Sequence, residues 1–155
     1  MTDHVRTLPI EDLPELAAQA GALLDKKGVR PLVLKDPLKL DDLPSFDGEA
    51  VNFARKDFRG LRDKYNIDRL VVFQVSALGV WRAYSSYVPV GEPYAVFNAT
   101  VFMVNTQTNA LEWFEPIALT KAAAKWDQPP EYPDLSNAYF QALEIGKTQL
   151  LKPLR

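Results

Sequence analysis

The chain has 155 residues, of which 47% are hydrophobic and 25% are charged, and its formal net charge is −2. These values are typical of one globular domain, and the small net charge gives no reason to expect a nucleic-acid partner. There is no cysteine, which excludes disulfides and thiolate chemistry, and no apolar run is long enough to span a bilayer. We expect a single domain, residues 1–155, with a flexible segment at 1–9.

The amino-terminal half predicts two helices and one short strand. The first helix has Asp12 as a plausible N-cap and Gly28 as the residue that follows its last turn. Val29–Leu34 predicts a short edge strand, which Pro31 interrupts. Apolar residues at helical spacing then predict a second helix over 51–65, which Asn66 can end in left-handed backbone.

The next part of the chain predicts three consecutive strands. They are Arg69–Tyr84, Tyr94–Val104 and Leu111–Leu119, each rich in β-branched and aromatic residues. Ser85–Pro93 contains two prolines and a glycine, which predicts a hairpin loop. Asn105–Asn109 is typical of a tight turn, because these residue types tolerate left-handed backbone.

A last helix is predicted from Asp134 or Ser136. Gly146 lies inside it, which close packing on the sheet would explain. The order of elements predicts an α+β fold with a mixed sheet of four to five strands. The carboxyl-terminal half of the sheet forms an antiparallel meander, and about three helices lie mainly on one face. One face of the second strand is expected to pack against helices: Ala95, Phe97, Ala99, Val101 and Met103.

Two segments carry a resemblance to a known family. Phe58-Arg59-Gly60-Leu61-Arg62-Asp63-Lys64-Tyr65-Asn66-Ile67-Asp68-Arg69-Leu70-Val71-Val72 reads as a helix followed by a strand that is entered through an acidic residue. Val104-Asn105-Thr106-Gln107-Thr108-Asn109-Ala110-Leu111-Glu112-Trp113 reads as a polar turn followed by a strand. Both resemble the periplasmic α/β domain shared by curli-secretion lipoproteins, lipoprotein activators of penicillin-binding proteins and the amino-terminal domain of the Tol-system propeller protein.

The chain departs from that family at two places. The usual Thr-Gly of the turn is Thr108-Asn109 here, and the glycine-rich segment of the first hairpin is replaced by residues 85–91. The resemblance implies a periplasmic, protein-binding lipoprotein of the bacterial envelope. Its only membrane attachment would be an outer-membrane lipid anchor on a cysteine upstream of Met1. The resemblance carries over no catalytic residue, and a cytoplasmic location is the alternative.

Residues that could carry chemistry are few. His4 is the only histidine and lies near the terminus, where we expect it to be exposed, so a zinc site is set aside. Glu112 and Glu115 are three apart on a strand, so they should point to opposite faces and form no acid–base pair. We expect no catalytic residue, metal or cofactor. The acidic residues near the last helix are expected to form a solvated loop: Asp127, Glu131 and Asp134.

Basic residues between Arg55 and Lys64 form a second candidate surface. They could contact phosphates or anionic lipid headgroups, but no aromatic residues are interleaved for base stacking. We expect them to be the solvent-facing side of an amphipathic helix.

Aromatic residues at or beyond strand ends are the strongest candidates for partner binding. Exposed tyrosine and tryptophan are favoured as interface anchors. The alternative is that the loops fold back and bury these rings. The predicted partner-binding residues are Trp81, Tyr84, Tyr87, Tyr94, Trp126 and Tyr132.

The sequence therefore favours a non-enzymatic interaction module, with two alternatives open. One is a carrier of a small apolar ligand, whose pocket Phe97, Val101 and Met103 would line. The other is an enzyme with an unrecognised site, which requires a deep pocket with ionisable groups of perturbed pKa. Weak self-association through the Val29–Leu34 edge is also open.

Overall fold

The computed structural model describes residues 12–47, 51–123 and 133–155, with side chains from residue 15. Features predicted at 1–9, His4, Trp126, Tyr132 and the loop acids Asp127 and Glu131 lie outside these residues. The elements in chain order are α1 (Asp12–Lys26), α2 (Gly60–Tyr65), β1 (Arg69–Ser85), β2 (Val88–Asn105), β3 (Leu111–Ala122) and α3 (Pro133–Leu151), with 3₁₀ helices at Leu40–Asp42 and Lys152–Leu154.

The three strands form one antiparallel sheet in the order β1-β2-β3. The α+β class is confirmed, with three helices, whereas a sheet of four or five strands is not confirmed. The predicted strand at Val29–Leu34 is wrong, because this segment has irregular backbone. The N–H of Val29 donates to the carbonyl oxygen of Leu24 at 3.2 Å, so the segment begins by closing the end of α1.

Two helix ends agree with the sequence prediction. Gly28 follows α1 with a φ of 79°, and its N–H donates to the carbonyl oxygen of Asp25 at 3.0 Å. Asn66 ends α2 in left-handed backbone with a φ of 52°, and its N–H donates to Arg62. Both residues provide the positive φ that closes a helix.

The described residues fall in two compact units. The first comprises 12–34, 75–99, 117–123 and 133–155, and the second comprises 35–47, 51–74 and 100–116. No segment in these two groups forms a helix that is long and apolar enough to cross a membrane. The single-domain assignment stays a prediction.

In the first unit, one stripe of α3 and the odd-numbered residues of β2 from Pro93 to Ala99 are buried. A Cβ added to Gly146 would clash with the Phe97 ring, so the close packing expected at this glycine is confirmed. The fully buried positions on β2 include Ala95 and Phe97, each with no exposed area. The buried stripe of α3 includes Leu135, Ala138, Tyr139, Ala142, Leu143 and Leu150.

The second unit has its own apolar core. It consists of Ala54, Phe58, Leu61, Val72, Phe102 and Val104. Met103 was expected to be among the buried residues of β2, but it is only half-buried. The buried alternation shifts by one at Val101 and Phe102, which are both buried, so the even-numbered positions become the inner ones from there onward.

The helix predicted over 51–65 is wrong in its first half. Val51 is 96% exposed, and helical structure starts only at Gly60. The N–H of Ala54 donates to the carbonyl oxygen of Asn109 at 3.0 Å, and that of Leu111 donates to Asn52 at 2.7 Å. Pairing with the β2–β3 turn therefore supplies the backbone bonds that a helix would otherwise make.

Candidate interaction surface on the β1–β2 hairpin

The connection between β1 and β2 is a two-residue turn. Ser86 and Tyr87 have φ values of 48° and 68°, the pair of positive values that defines a type I′ turn. Such a turn matches the twist of the strands, so pairing continues up to Ser85 and Val88. The loop predicted for Ser85–Pro93 is therefore wrong, because most of it is the first part of β2.

The turn fixes the register of the hairpin. A two-residue turn sets Ser85 opposite Val88, and therefore Ala83 opposite Val90. The third strand accompanies β2 only as far as Pro93, whose carbonyl oxygen accepts from the N–H of Ala123 at 3.1 Å. Beyond that point the described structure is a two-stranded ribbon, residues 81–92, which we call the hairpin arm.

The hairpin arm is exposed on both of its faces. Every residue in it is exposed except Arg82, which is half-buried. Trp81 and Tyr84 are 62% and 61% exposed, and Tyr87 at the tip is 99% exposed. With Val88 and Val90, these three residues make up half of the exposed large hydrophobic side chains in the described chain. Monomeric proteins rarely gather exposed apolar groups in this way, and such patches mark interaction sites.

The two faces of the arm carry different side chains. Alternation along the strands sets Trp81, Val88 and Val90 on one face and Tyr84 with Pro89 on the other. The nine residues 83–91 carry no charge. Arg82 lies at the base, where its Nε donates to the carbonyl oxygen of Gly91 at 3.2 Å and ties the two strands together. Residues 83–91 of the arm can therefore bury apolar area on either side without desolvating a charged group of their own.

The predicted partner-binding residues have three different outcomes. The structure brings Trp81, Tyr84 and Tyr87 together on the arm, and for these three the alternative of burial by folded-back loops is wrong. Tyr94 is half-buried below the arm. Trp126 and Tyr132 lie outside the described residues. Sequence reasoning missed Val88 and Val90, although their spacing by two, on either side of Pro89, is the signal of a strand.

The basic residues between 55 and 64 do not form one helix face. Arg59 pairs with Asp57 through Nη2 and Oδ2 at 2.7 Å, and Nε adds a bond to Oδ1 at 2.9 Å. Arg62 lies 3.5 Å from Asp68. Two of the five basic residues, Arg59 and Arg62, are therefore engaged in ion pairs with nearby acidic residues.

The Asp57–Arg59 pair perturbs both groups. The Arg59 hydrogen bond to its side chain lowers the pKa of Asp57 below the ordinary value, since it stabilises the carboxylate. The same bond raises the pKa of Arg59. Arg59 also lies over the Phe46 ring, with its Cζ 5.2 Å from the ring centroid. The perturbation thus has a structural cause at the surface, and no cleft is needed to explain it.

One of the two acidic residues of β3 makes a similar ion pair. The Nε of Arg69 donates to both carboxylate oxygens of Glu112, at 2.9 and 2.8 Å, while Glu115 is exposed. Glu112 is therefore held by a cation. Within 12–47, 51–123 and 133–155, no three potential metal-ligating side chains cluster.

The three residues expected to line a ligand pocket differ in how deeply they are buried. Phe97 and Val101 have no exposed area, whereas Met103 is half-buried. The Phe97 ring leaves no space for even one methyl group at Gly146. This close packing counts against an apolar-ligand carrier that uses Phe97.

Comparisons with known proteins add one weak likeness. No family model and no curated protein matches the chain. The solved structure of lipoprotein GNA1162 from Neisseria meningitidis is 12% identical, with a TM-score of 0.35 and coverage of 83% of this chain and 72% of that chain. A likeness this low establishes neither a common fold nor a common function. The resemblance to the envelope families stays a prediction.

Proposed function

We propose that this chain is a non-enzymatic protein-interaction module of the bacterial cell envelope, and that the hairpin arm is its contact surface. The observation that carries the proposal is the exposure of Trp81, Tyr84 and Tyr87 together on one projecting ribbon. Tyrosine and tryptophan supply large contact area at low entropic loss, so they dominate binding energy at many interfaces.

The backbone at Tyr87 supports the same conclusion. A type I′ turn favours glycine or asparagine, because a bulky residue with positive φ is strained. Here the second turn position holds a tyrosine with a φ of 68° and a side chain that is 99% exposed. Strain of this kind persists where a side chain serves a function outside the fold.

The envelope location rests on different grounds. It derives from the resemblance of residues 58–72 and 104–113 to the periplasmic lipoprotein domain. In that setting the chain would be the folded part of a lipoprotein and would be held to the outer membrane by its lipid. Its partners would be other envelope proteins.

The contact surface is tested by photocrosslinking in the native host. A photoreactive phenylalanine analogue placed at residue 87 is expected to give one discrete crosslinked product, whereas the same analogue at Val51 gives none. Val51 is a matched control because it is 96% exposed and lies outside the arm. No product from residue 87, or the same products from both positions, would overturn the assignment of the surface.

The location is tested separately by cell fractionation and an intact mass of the native amino terminus. A lipid-modified cysteine in the envelope fraction is the expected result. An unmodified chain in the cytosol would remove the envelope part of the proposal and leave the contact surface to be judged on its own crosslinks.

A further inference from the structure

The outer edge of β1 is unpaired in the described chain. This strand lies at one side of the sheet, with β2 as its neighbour. No backbone hydrogen bond joins residues 75–85 to a described residue outside the sheet. A long edge strand presents a row of donors and acceptors that another strand can complete.

The hairpin register decides which backbone groups face outward. Ser85 and Val88 flank a type I′ turn and exchange backbone bonds, so odd-numbered residues of β1 point their polar groups toward β2. The N–H groups of Ser76, Leu78 and Val80 therefore point away from the sheet. Residues 75–85 contain no proline and no lysine, and Arg82 is their only charge.

The other open edges are protected. In the arm, Pro89 lies opposite Tyr84 in a pair that exchanges no backbone bonds, so its missing N–H faces outward on the free side of β2. The third strand contains Pro116 and three charged side chains: Glu112, Glu115 and Lys121. Proline and charge are the devices by which proteins block strand addition. The chain uses proline on β2 and both devices on β3, whereas residues 75–85 of β1 have no proline and a single charge, Arg82.

We propose that a second copy of this chain pairs with the outer edge of β1, antiparallel and about a two-fold axis at Gly79. In this register the outward backbone N–H and C=O groups of Leu78 bond with those of the other copy's Val80. The two-fold axis generates the same pair with the copies exchanged, so the contact is isologous. It sets Trp81 opposite Ala77, a large side chain against a small one. It also sets Arg82 opposite Ser76, so the edge's one charge meets a neutral group.

The side chains along this edge favour pairing with a second copy over pairing with a strand of charged or bulky residues. Trp81 and Arg82 face the small residues Ala77 and Ser76, and Leu78 faces Val80. The residue on the axis is a glycine around which a Cβ would meet nothing within 4 Å. Pairing over so few residues buries little area, so the dimer is weak and depends on concentration. The proposed dimer contact involves residues 76–82, and it is independent of partner binding through Tyr87 at the tip of the arm.

The test is analytical ultracentrifugation of the purified chain over a range of concentrations, with two pairs of variants. Val80→Pro removes one outward N–H from each copy, and an edge strand tolerates proline at such a position. Two lost hydrogen bonds per dimer should weaken association by roughly tenfold or more. Val80→Ala keeps the N–H and should leave association unchanged.

The second pair tests the register and does not depend on proline. Ser76 is exposed, so both of its variants should fold alike. Ser76→Glu sets a carboxylate opposite the other copy's arginine and should tighten association, whereas Ser76→Arg should weaken it. A wild-type chain that stays monomeric at every concentration, equal dimerisation by Val80→Pro and Val80→Ala, or equal shifts by the two Ser76 variants would overturn the proposal. Tyr87→Ala should leave the dimer unchanged.

Discussion

Two hairpin turns of this chain hold a non-glycine residue in left-handed backbone, and their surroundings are opposite. Asn109 has a φ of 65° and no exposed area, while Tyr87 has a φ of 68° and is 99% exposed. In the turn of Asn109, hydrogen bonds of its side chain offset the backbone strain. In the turn of Tyr87, the described chain offers the ring no comparable contact. The side chain of Asn109 thus stabilises the fold, whereas that of Tyr87 is exposed to solvent.

Asn109 organises the second unit through its side chain. Its Oδ1 accepts from the N–H of Phe58 at 2.9 Å, and its Nδ2 donates to the carbonyl oxygens of Ala54 and Lys56 at 3.1 and 2.9 Å. A short polar side chain with one acceptor and two donors satisfies three backbone groups that would otherwise be buried without partners. These bonds hold residues 54–58 in the irregular path where the sequence predicts a helix.

The largest expected effect is that of Asn109→Ala. It leaves three backbone groups without partners, each of which costs about 1–3 kcal/mol when buried, so we expect a loss of about 3–5 kcal/mol. Urea unfolding followed by circular dichroism measures it. Gln107→Ala, in the same turn but exposed, is the control and should change stability little. A similar loss in both variants would show that the turn as a whole, rather than its buried amide, supplies the stability.

Thr106→Val should come next. The Thr106 hydroxyl donates to the carbonyl oxygen of Ile67 at 2.8 Å, and the residue has no exposed area. Valine keeps the shape and removes the bond, so we expect a loss of about 1–2 kcal/mol in the same unfolding assay. Thr108→Val removes an exposed hydroxyl two residues away and should lose clearly less. If the two variants were equal, burial would not be what distinguishes this turn.

Tyr87→Gly should change stability in the opposite direction. Glycine relieves left-handed strain of about 1–2 kcal/mol and loses part of that gain through the freedom of the unfolded chain, so we expect a gain of up to about 1 kcal/mol. The Tyr87→Gly variant should also bind its partner more weakly. A photoreactive analogue placed at Val90 would then give less crosslinked product. A destabilised Tyr87→Gly protein would mean that the ring supports the fold after all.

The smallest expected effect is that of Asp57→Asn, and it depends on pH. Because Arg59 lowers the folded-state pKa of Asp57, the pair stabilises the protein above the unfolded pKa of about 4 and ceases to do so as the pH falls through the folded value. Asp57→Asn should therefore be less stable than the wild type near neutral pH. The difference should vanish in strong acid. Denaturation midpoints measured from pH 7 to pH 2 test this, and a difference that grows toward low pH would contradict it.

Much of the fold could be predicted from residue types that act locally. The strands that begin at Arg69 and Leu111, the Asn105–Asn109 turn, and the helix ends at Gly28 and Asn66 all follow from alternation or from tolerance of positive φ. These signals depend on neighbours along the chain, and distant contacts do not alter them.

The two main failures have different physical causes, one long-range and one local. Residues 51–59 have helical spacing, but the bonds from Asn109, which lies 51 or more positions away, hold them in another path. At Ser85–Pro93, turn-forming residues predicted a loop, whereas a tyrosine at positive φ allows a tight turn that its residue type does not favour. In the candidate site, the sequence could therefore identify the three aromatic residues, but neither the ribbon that carries them nor its two valines.

The most direct test of the arm's role uses the absence of cysteine. Ser86→Cys gives the chain one exposed thiol at the tip of the arm and keeps Tyr87, and Val51→Cys gives a matched exposed control. In purified protein, a maleimide should modify both at similar rates. In intact host cells, occupancy of the arm by a partner for about nine-tenths of the time would slow modification at residue 86 about tenfold and leave residue 51 unchanged. Equal rates at the two positions in cells would contradict the assignment of the arm as a contact surface.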